Sequence, residues 1–285
     1  MLEQRARSIT ARVSPRPANS TIVIAVTSPY GSTGKTTVAI NLALELAAEK
    51  AQVLLIDADL QGAAVANHFL LTEQPAGIRA ALRIASQQRL DIEQLERLSF
   101  QFQKSTLRIM PGSQALMAQP VEPGSIGTVL EIARSGYDFT VIDLGAMSTD
   151  GASAAGQLTR QIIALADRTI LVCLADPIGI FRLLSIEQLI GESSLSVDLV
   201  LNRVRNSVIA SARKEISITL QRLSTLEPKA YLPDDPQHID QALRTGMPAT
   251  SISRSGTFRQ ALTGFVRSEL LGRQGALDSR MAKLG

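Results

Sequence analysis

The sequence has no tryptophan, a single cysteine and two histidines in 285 residues. One cysteine excludes a disulfide within the chain. Cys173 lies in the apolar run Thr169–Leu174, so a buried structural thiol is expected rather than a reactive one. His68 and His238 stand apart without metal-ligand spacing, which argues against a histidine metal site. No stretch of about 18 apolar residues occurs, so no membrane-spanning helix is expected. Met1–Ser20 has no apolar centre and does not read as a secretory signal, and a cytoplasmic location is expected by default. No basic run is longer than Arg213-Lys214.

What is present is an uneven charge distribution and a strict alternation of patterns. The net charge of +3 divides into +3 over residues 1–20, −6 over 21–199 and +6 over 200–285. A basic arm and a basic C-terminal third can attract DNA or the inner face of an anionic membrane. An ordinary solvated, arginine-bearing surface accounts for them as well. Residues 1–20 are polar and end in Ser14-Pro15-Arg16-Pro17-Ala18-Asn19, which reads as a disordered basic arm. Residues 21–271 read as one domain, and 272–285 as a flexible polar tail.

Within the domain, Ile22–Val26, Gln52–Ile56, Leu107–Met110, Phe139–Asp143, Thr169–Leu174 and Val197–Asn202 are short apolar runs with the character of strands buried on both faces. Lys229–Leu232 reads as a short edge strand. Thr36–Glu49, Gly77–Ala85, Ile92–Leu98, Ile126–Arg134, Gly156–Leu165, Ile178–Ile190, Ile239–Arg244 and Thr257–Leu271 carry helical patterns. No element is assigned between Asn202 and Lys229. Alternating strands and helices predict an α/β fold: a doubly wound, mostly parallel sheet flanked by helices, with ligands beyond the carboxyl ends of the strands. Phe258, Leu262, Phe265, Val266 and Leu270 fall near one face of the last helix. Packing on its own domain is the expected use of such a face, with a lipid surface as the alternative.

Three segments carry chemistry, each at a strand end. The first is Ser28-Pro29-Tyr30-Gly31-Ser32-Thr33-Gly34-Lys35-Thr36-Thr37, between a strand and a helix. Gly-Lys-Thr in that context is the core of a phosphate-binding loop. It assigns Gly31, Ser32, Thr33, Gly34, Lys35, Thr36 and Thr37 to nucleotide phosphates, through inward N–H groups and the positive end of the helix. Lys35 reaches the β- and γ-phosphates, and the Thr36 hydroxyl is placed as a Mg²⁺ ligand. Pro29 stands where the strict motif has its first glycine. The second segment is Asp57-Ala58-Asp59-Leu60-Gln61-Gly62, two carboxylates leaving one strand toward a common polar site. One suits the hydration sphere of Mg²⁺ and the other an attacking water. The third is Asp143, at the end of a fourth apolar run, where a carboxylate supports the metal through water.

These segments resemble those of the ParA/MinD family of P-loop ATPases, over roughly Thr21 to Leu271. Tyr30–Thr37 aligns with its loop KGGxGKTT, Asp57–Gly62 with its DxDPQG, and Val141-Ile142-Asp143-Leu144-Gly145 with its second switch. Asn202-Arg203-Val204-Arg205 is similar to the segment whose asparagine reads the adenine amino group. Leu232-Pro233-Asp234-Asp235 and Ala242–Pro248 resemble the segments that close the base pocket. Ala175–Leu183 looks like the CpaE/TadZ-like branch, which localises Tad-type pilus machinery in actinobacteria. The resemblance implies ATP and Mg²⁺ as ligands, an ATP-bound homodimer, and slow hydrolysis that times release from a surface. It implies catalytic roles for Asp59 and Lys35, metal roles for Thr36, Asp57 and Asp143, and base-pocket roles for Asn202, Arg203 and Pro233. Its partners would belong to a pilus, partition or division complex, with DNA or membrane as the surface.

The sequence departs from the family at telling positions. The lysine that reaches across the dimer to the partner's nucleotide is Tyr30, the second glycine is Ser32, and the proline of DxDPQG is Leu60. Tyrosine brings no positive charge to a phosphoryl-transfer transition state. Slow turnover is therefore expected, with Arg182 or Arg203 as the substitutes left open. Three functions remain to be distinguished: a spatial-organising ATPase, a pseudo-ATPase scaffold, and a metabolic P-loop ligase.

Overall fold

The computed structural model describes residues 21–71, 77–112, 122, 124–147, 153–192 and 196–272. The arm 1–20 and the tail after Gly272 lie outside the described residues. Eight strands form one sheet: β1 (Ile22–Ser28), β2 (Val53–Asp57), β3 (Phe100–Gln101), β4 (Leu107–Met110), β5 (Phe139–Ala146), β6 (Arg168–Leu174), β7 (Val197–Val204) and β8 (Pro228–Pro233). Their order is β3-β4-β2-β5-β1-β6-β7-β8, and every pairing is parallel except β3 with β4.

Burial on both faces explains why the strands are near-continuous apolar runs. In β1, Ile24 and Val26 enter the core on one face of the sheet, while Val23 and Ala25 enter the core on the other. The helices supply the two outer layers: α1 (Lys35–Ala48), α2 (Val65–His68), α3 (Gly77–Ser86), α4 (Ile92–Arg97), α5 (Ser125–Gly136), α6 (Ala154–Leu165), α7 (Pro177–Glu192), α8 (Ala212–Leu223), α9 (Pro236–Thr245), α10 (Ala249–Ile252) and α11 (Thr257–Phe265). A π-helical turn, Val266–Leu271, continues α11. The first helix is apolar nearly all round because it is covered twice, by the sheet and by α10 and α11.

Helix α11 is where the lipid alternative is decided. Phe258, Leu262, Phe265, Val266 and Leu270 are all buried in the core shared with α1 and β8. Each such side chain contributes about 1.5–3 kcal/mol on leaving water. Its polar face is held by Arg259 and Thr263 on the buried Glu45 of α1, at 2.8 and 2.7 Å. That apolar stripe is therefore core. Among the described residues no helix is long and apolar enough to cross a membrane.

Four elements go beyond the sequence reading. The two-residue β3 and the one-turn helices α2 and α10 are too short to show a period. Helix α8 occupies the stretch left blank, and its inner face is only Ala212, Ile216 and Leu220. Strand β1 sits at the centre, between β5 and β6, where the chain's connections lead to opposite sides of the sheet. The ends of β1, β2, β5, β6 and β7 thus open on one crevice.

Candidate nucleotide-binding site

After Ser28 the chain turns through Pro29–Gly34 and enters α1 at Lys35. Two residues of this turn are left-handed: Ser32 at φ 65° and Gly34 at φ 85°. A Cβ on Gly34 would stand 2.6 Å from Asn202 Nδ2, so this glycine is required by both conformation and space. Ser32 accepts the same region at a cost of roughly 1 kcal/mol or more. The start of α1 has no side-chain cap and no acidic residue in its first turn. Its N–H groups, free of intrahelical partners, are left to an anion.

The turn is braced from three sides. The Ser28 hydroxyl donates to the Tyr30 carbonyl at 2.6 Å. The Thr27 hydroxyl donates to the Gly145 carbonyl at 2.8 Å, and the Met147 N–H donates to the Ser28 carbonyl at 2.8 Å. The Asn202 amide donates to the Thr33 carbonyl at 2.8 Å. The turn is therefore held in shape by the protein alone.

The carboxylates come together by strand register. Asp57 and Asp143 are paired across β2 and β5. Asp143 is completely buried. Its Oδ2 accepts the Thr36 hydroxyl at 2.7 Å, and its Oδ1 has no partner among the described residues. Burial pushes its carboxyl up to about 8; Asp57 and Asp59 add to this, while Lys35 and the Thr36 hydroxyl oppose it. Burial pushes Asp57 up to about 6 against the N–H groups of Val65 and Asp59, which it accepts at 3.0 and 3.3 Å. Asp59 binds the N–H groups of Gln61 and Gly62 through Oδ1, at 3.1 and 2.9 Å. Its Oδ2 pairs with Lys35 Nζ at 3.1 Å. Gly62 and Gly145 close around it, each with room for little more than a Cβ.

This arrangement fits a hydrated divalent cation that arrives with phosphate. A buried carboxylate oxygen without a partner, next to a hydroxyl with free lone pairs, is a natural place for positive charge. Among the described residues no three His, Cys, Asp or Glu side chains form a metal cage. That suits Mg²⁺, which keeps its waters and takes oxygens from substrate phosphates.

The residues expected to hold the base lie at the far end of the loop. Asn202 is buried at the end of β7, its amide nitrogen on Thr33. Arg203 follows in the left-handed region at φ 55° and is exposed. The Asp234 N–H donates to the Val204 carbonyl at 3.1 Å, and Arg205 lies 3.4 Å from Asp234, which joins this segment to Pro233. The Ala242–Pro248 segment approaches from the other side. Its Met247 and Pro248 line a small cavity with Thr37 and Asn41. Asn41 ties the two, donating to the Thr37 carbonyl at 2.7 Å and accepting the Thr250 N–H at 2.9 Å.

Tyr30 does not extend from the loop. Its ring lies under the guanidinium of Arg182, 4.2 Å from the guanidinium carbon to the ring centroid. Its hydroxyl is buried without a well-formed hydrogen bond among the described residues. The Tyr30–Arg182 contact and the Asn202–Thr33 brace are the parts of the site that sequence reasoning missed. Neither has a local signal, since the partners are far apart in the chain. Cys173 is buried as expected, with its thiol directed at the Gly179 carbonyl at 3.2 Å. His238 bonds Asp235, which also caps α9 and α11, so its role is structural.

Comparison with known proteins places the fold among nucleotide-binding domains. The model of the CobQ/CobB/MinD/ParA nucleotide binding domain matches residues 24–244. The septum site-determining protein MinD of Thermotoga maritima is 25% identical over 231 residues, 80% of each chain. The ParA family ATPase of Chlorobium tepidum superposes with a TM-score of 0.71 at 18% identity, over 87% of this chain and 98% of that one. MinD of Pyrococcus horikoshii, solved with Mg-ADP, superposes with a TM-score of 0.65 at 22% identity, over 89% and 98%.

Proposed function

The chain belongs to the CobQ/CobB/MinD/ParA nucleotide-binding family, and on that premise we propose that it binds ATP with Mg²⁺ and uses the bound state to position a cellular machine. The reading rests above all on one observation: Thr36 hydrogen-bonds a buried carboxyl group, Asp143, whose second oxygen has no partner among the described residues, at the mouth of a braced loop. Residues 21–271 act as one nucleotide-binding unit in this reading, with the arm 1–20 and the tail 272–285 outside it.

Each residue then has a task. The N–H groups of Gly31–Thr37 and the Lys35 ammonium hold the phosphates. Lys35 leaves Asp59 to do so, which frees Asp59 to orient water. Thr36, with Asp143 and Asp57 behind it, would hold Mg²⁺, which would supply positive charge to offset that of the phosphates. Asn202 keeps the loop in place through its nitrogen and offers its oxygen to the adenine amino group, with Arg203 and Pro233 beside it.

We place the bound state in a homodimer, with a protein partner from a pilus, partition or division complex. Tad-type pilus assembly, the CpaE/TadZ-like role, is our preferred context. Exposed apolar residues support protein contacts: Phe181 is 71% and Ile178 65% accessible at the start of α7. Arg203, Arg205, Arg213, Lys214 and Arg222 are all exposed and support non-specific contact with DNA or anionic lipid at the inner membrane face. The second reading, a scaffold that binds nucleotide without turnover, is favoured by the inward position of Tyr30.

Calorimetry with Mg-ATP tests the first reading. Wild type should bind, and Lys35→Ala should weaken binding by at least about 100-fold through loss of its charged hydrogen bonds. Equal affinities would overturn the site. Comparing single-turnover hydrolysis with the uncatalysed rate separates the ATPase from the scaffold.

A further inference from the structure

Where the family's loop carries a lysine, this loop carries the phenol of Tyr30, and the structure shows what that phenol touches. The backbone of Tyr30 is pinned by the Ser28 hydroxyl. Burial pushes the Tyr30 hydroxyl up to about 12, reinforced by Cys173 and Asp176 and opposed by Arg182. The side chain is therefore neutral, and its hydroxyl is buried beside the Leu174 backbone without a well-formed hydrogen bond among the described residues. What remains is the ring face, and Arg182 is stacked on it at 4.2 Å. Guanidinium over an aromatic face is a favoured pairing, and arginine keeps its charge at every working pH.

Arg182 is exposed, and no carboxylate pairs with it among the described residues. The nearby Asp176 is occupied, since its Oδ1 accepts the Gly179 N–H at 2.7 Å and caps the start of α7. Arg203, the other candidate cation, makes no such ring contact and projects from the end of β7. We propose that Arg182, carried on the Tyr30 ring, supplies a second positive charge beside that of Lys35 during phosphoryl transfer, with Tyr30 as its positioning residue.

The inference rests on the reading of this loop as an ATP site. In the reaction the water oxygen bonds the γ-phosphorus. The bond to the β–γ bridging oxygen breaks, its electron pair leaving with ADP. One water proton stays on inorganic phosphate and the other passes to solvent. Negative charge spreads over the bridging and γ-oxygens as this happens, and a cation fixed beforehand at the loop stabilises it. A stacked guanidinium is fixed in this way without a bonded carboxylate to neutralise it.

The test uses the full chain, with binding of a fluorescent ATP analogue and single-turnover hydrolysis measured on the same preparations. Arg182→Ala should bind within about three-fold of wild type yet hydrolyse about 100-fold more slowly, the usual loss for one electrostatic stabiliser. Tyr30→Phe, which keeps the ring, should retain most of the rate that Tyr30→Leu loses. Arg182→Ala with Tyr30→Leu should be no slower than Arg182→Ala alone, since both remove one unit. Arg182 is exposed, so its replacement leaves the fold intact. Turnover of Arg182→Ala at the wild-type rate would overturn the proposal, as would Tyr30→Phe as slow as Tyr30→Leu. Wild type that binds ATP without turnover would overturn it too, while leaving the ATP site standing. Wild type that binds no ATP would remove the site reading itself.

Discussion

The two flanks of the phosphate loop are built from different kinds of contact. On the β2–β5 side, an ion pair joins Lys35 to Asp59 and a hydrogen bond joins Thr36 to Asp143, among three acidic side chains in a nearly closed space. On the β6–β7 side, a neutral ring, a stacked guanidinium and one amide do the work: Tyr30, Arg182 and Asn202. The first flank gathers acidic groups whose ionisation a nearby cation would favour. The second holds the backbone and presents a cation of its own. A loop that must bind a highly charged anion without collapsing onto its own acids gains from this division, because like charges in one buried pocket raise each other's cost.

The comparison breaks most sharply at Asp59. Asp59→Asn removes the carboxylate that would orient water, and should lower single-turnover hydrolysis by about 100-fold or more while ATP binding persists. Rapid-quench assays beside calorimetry check this, and an undiminished rate would move the water-orienting role elsewhere. On the opposite flank, Gly34→Ala should lose about 1–3 kcal/mol of stability, since a side chain there is strained in conformation and meets Asn202. Denaturant titration measures the loss. A silent substitution would mean that the Asn202 brace yields freely.

Protonation sharpens the contrast further. Burial holds Asp143 protonated up to about 8, against an ordinary value near 3.8. A carboxyl raised on folding favours the folded state at low pH, and that contribution fades as pH rises through the two values. Asp143→Asn, which cannot ionise, should therefore gain on wild type between pH 5 and pH 8, by about 1 kcal/mol or more in the absence of ligand. Melting curves across that range follow the difference, and a gap that does not widen would show that the site stays charged. The smallest expected effect is at Ser32. Ser32→Gly relieves a left-handed serine at φ 65° but frees the unfolded chain, so its net change should stay within about 1 kcal/mol. A larger loss would give the Ser32 side chain a role in binding.

The two flanks also differ in how far they could be read beforehand. Asp57, Asp59 and Asp143 lie at or just past the ends of apolar runs, Lys35 and Thr36 open the helix after another such run and its turn, and parallel strands bring these ends to one edge. Adjacent sequence positions and a period sufficed to place them. The amphipathic face of Thr257–Leu271 was legible for the same reason, and burial of its apolar residues followed. Helix α8 escaped because three inner residues among many polar ones make a weak pattern, and β3 because two residues make none.

By itself the sequence determined the longer elements apart from α8, the mostly parallel sheet and the acidic flank of the loop. These follow from hydrophobic periodicity, from turn chemistry and from strand ends, which are local properties. Only the tertiary structure decided that Tyr30 turns inward under Arg182, that Asn202 holds Thr33, and that one oxygen of Asp143 is left without a partner among the described residues. The first two depend on β6, β7 and α7 lying against the turn after β1, and the third on β5 lying between β1 and β2. Contacts between residues so far apart are fixed by packing of the whole sheet, which no window of sequence contains.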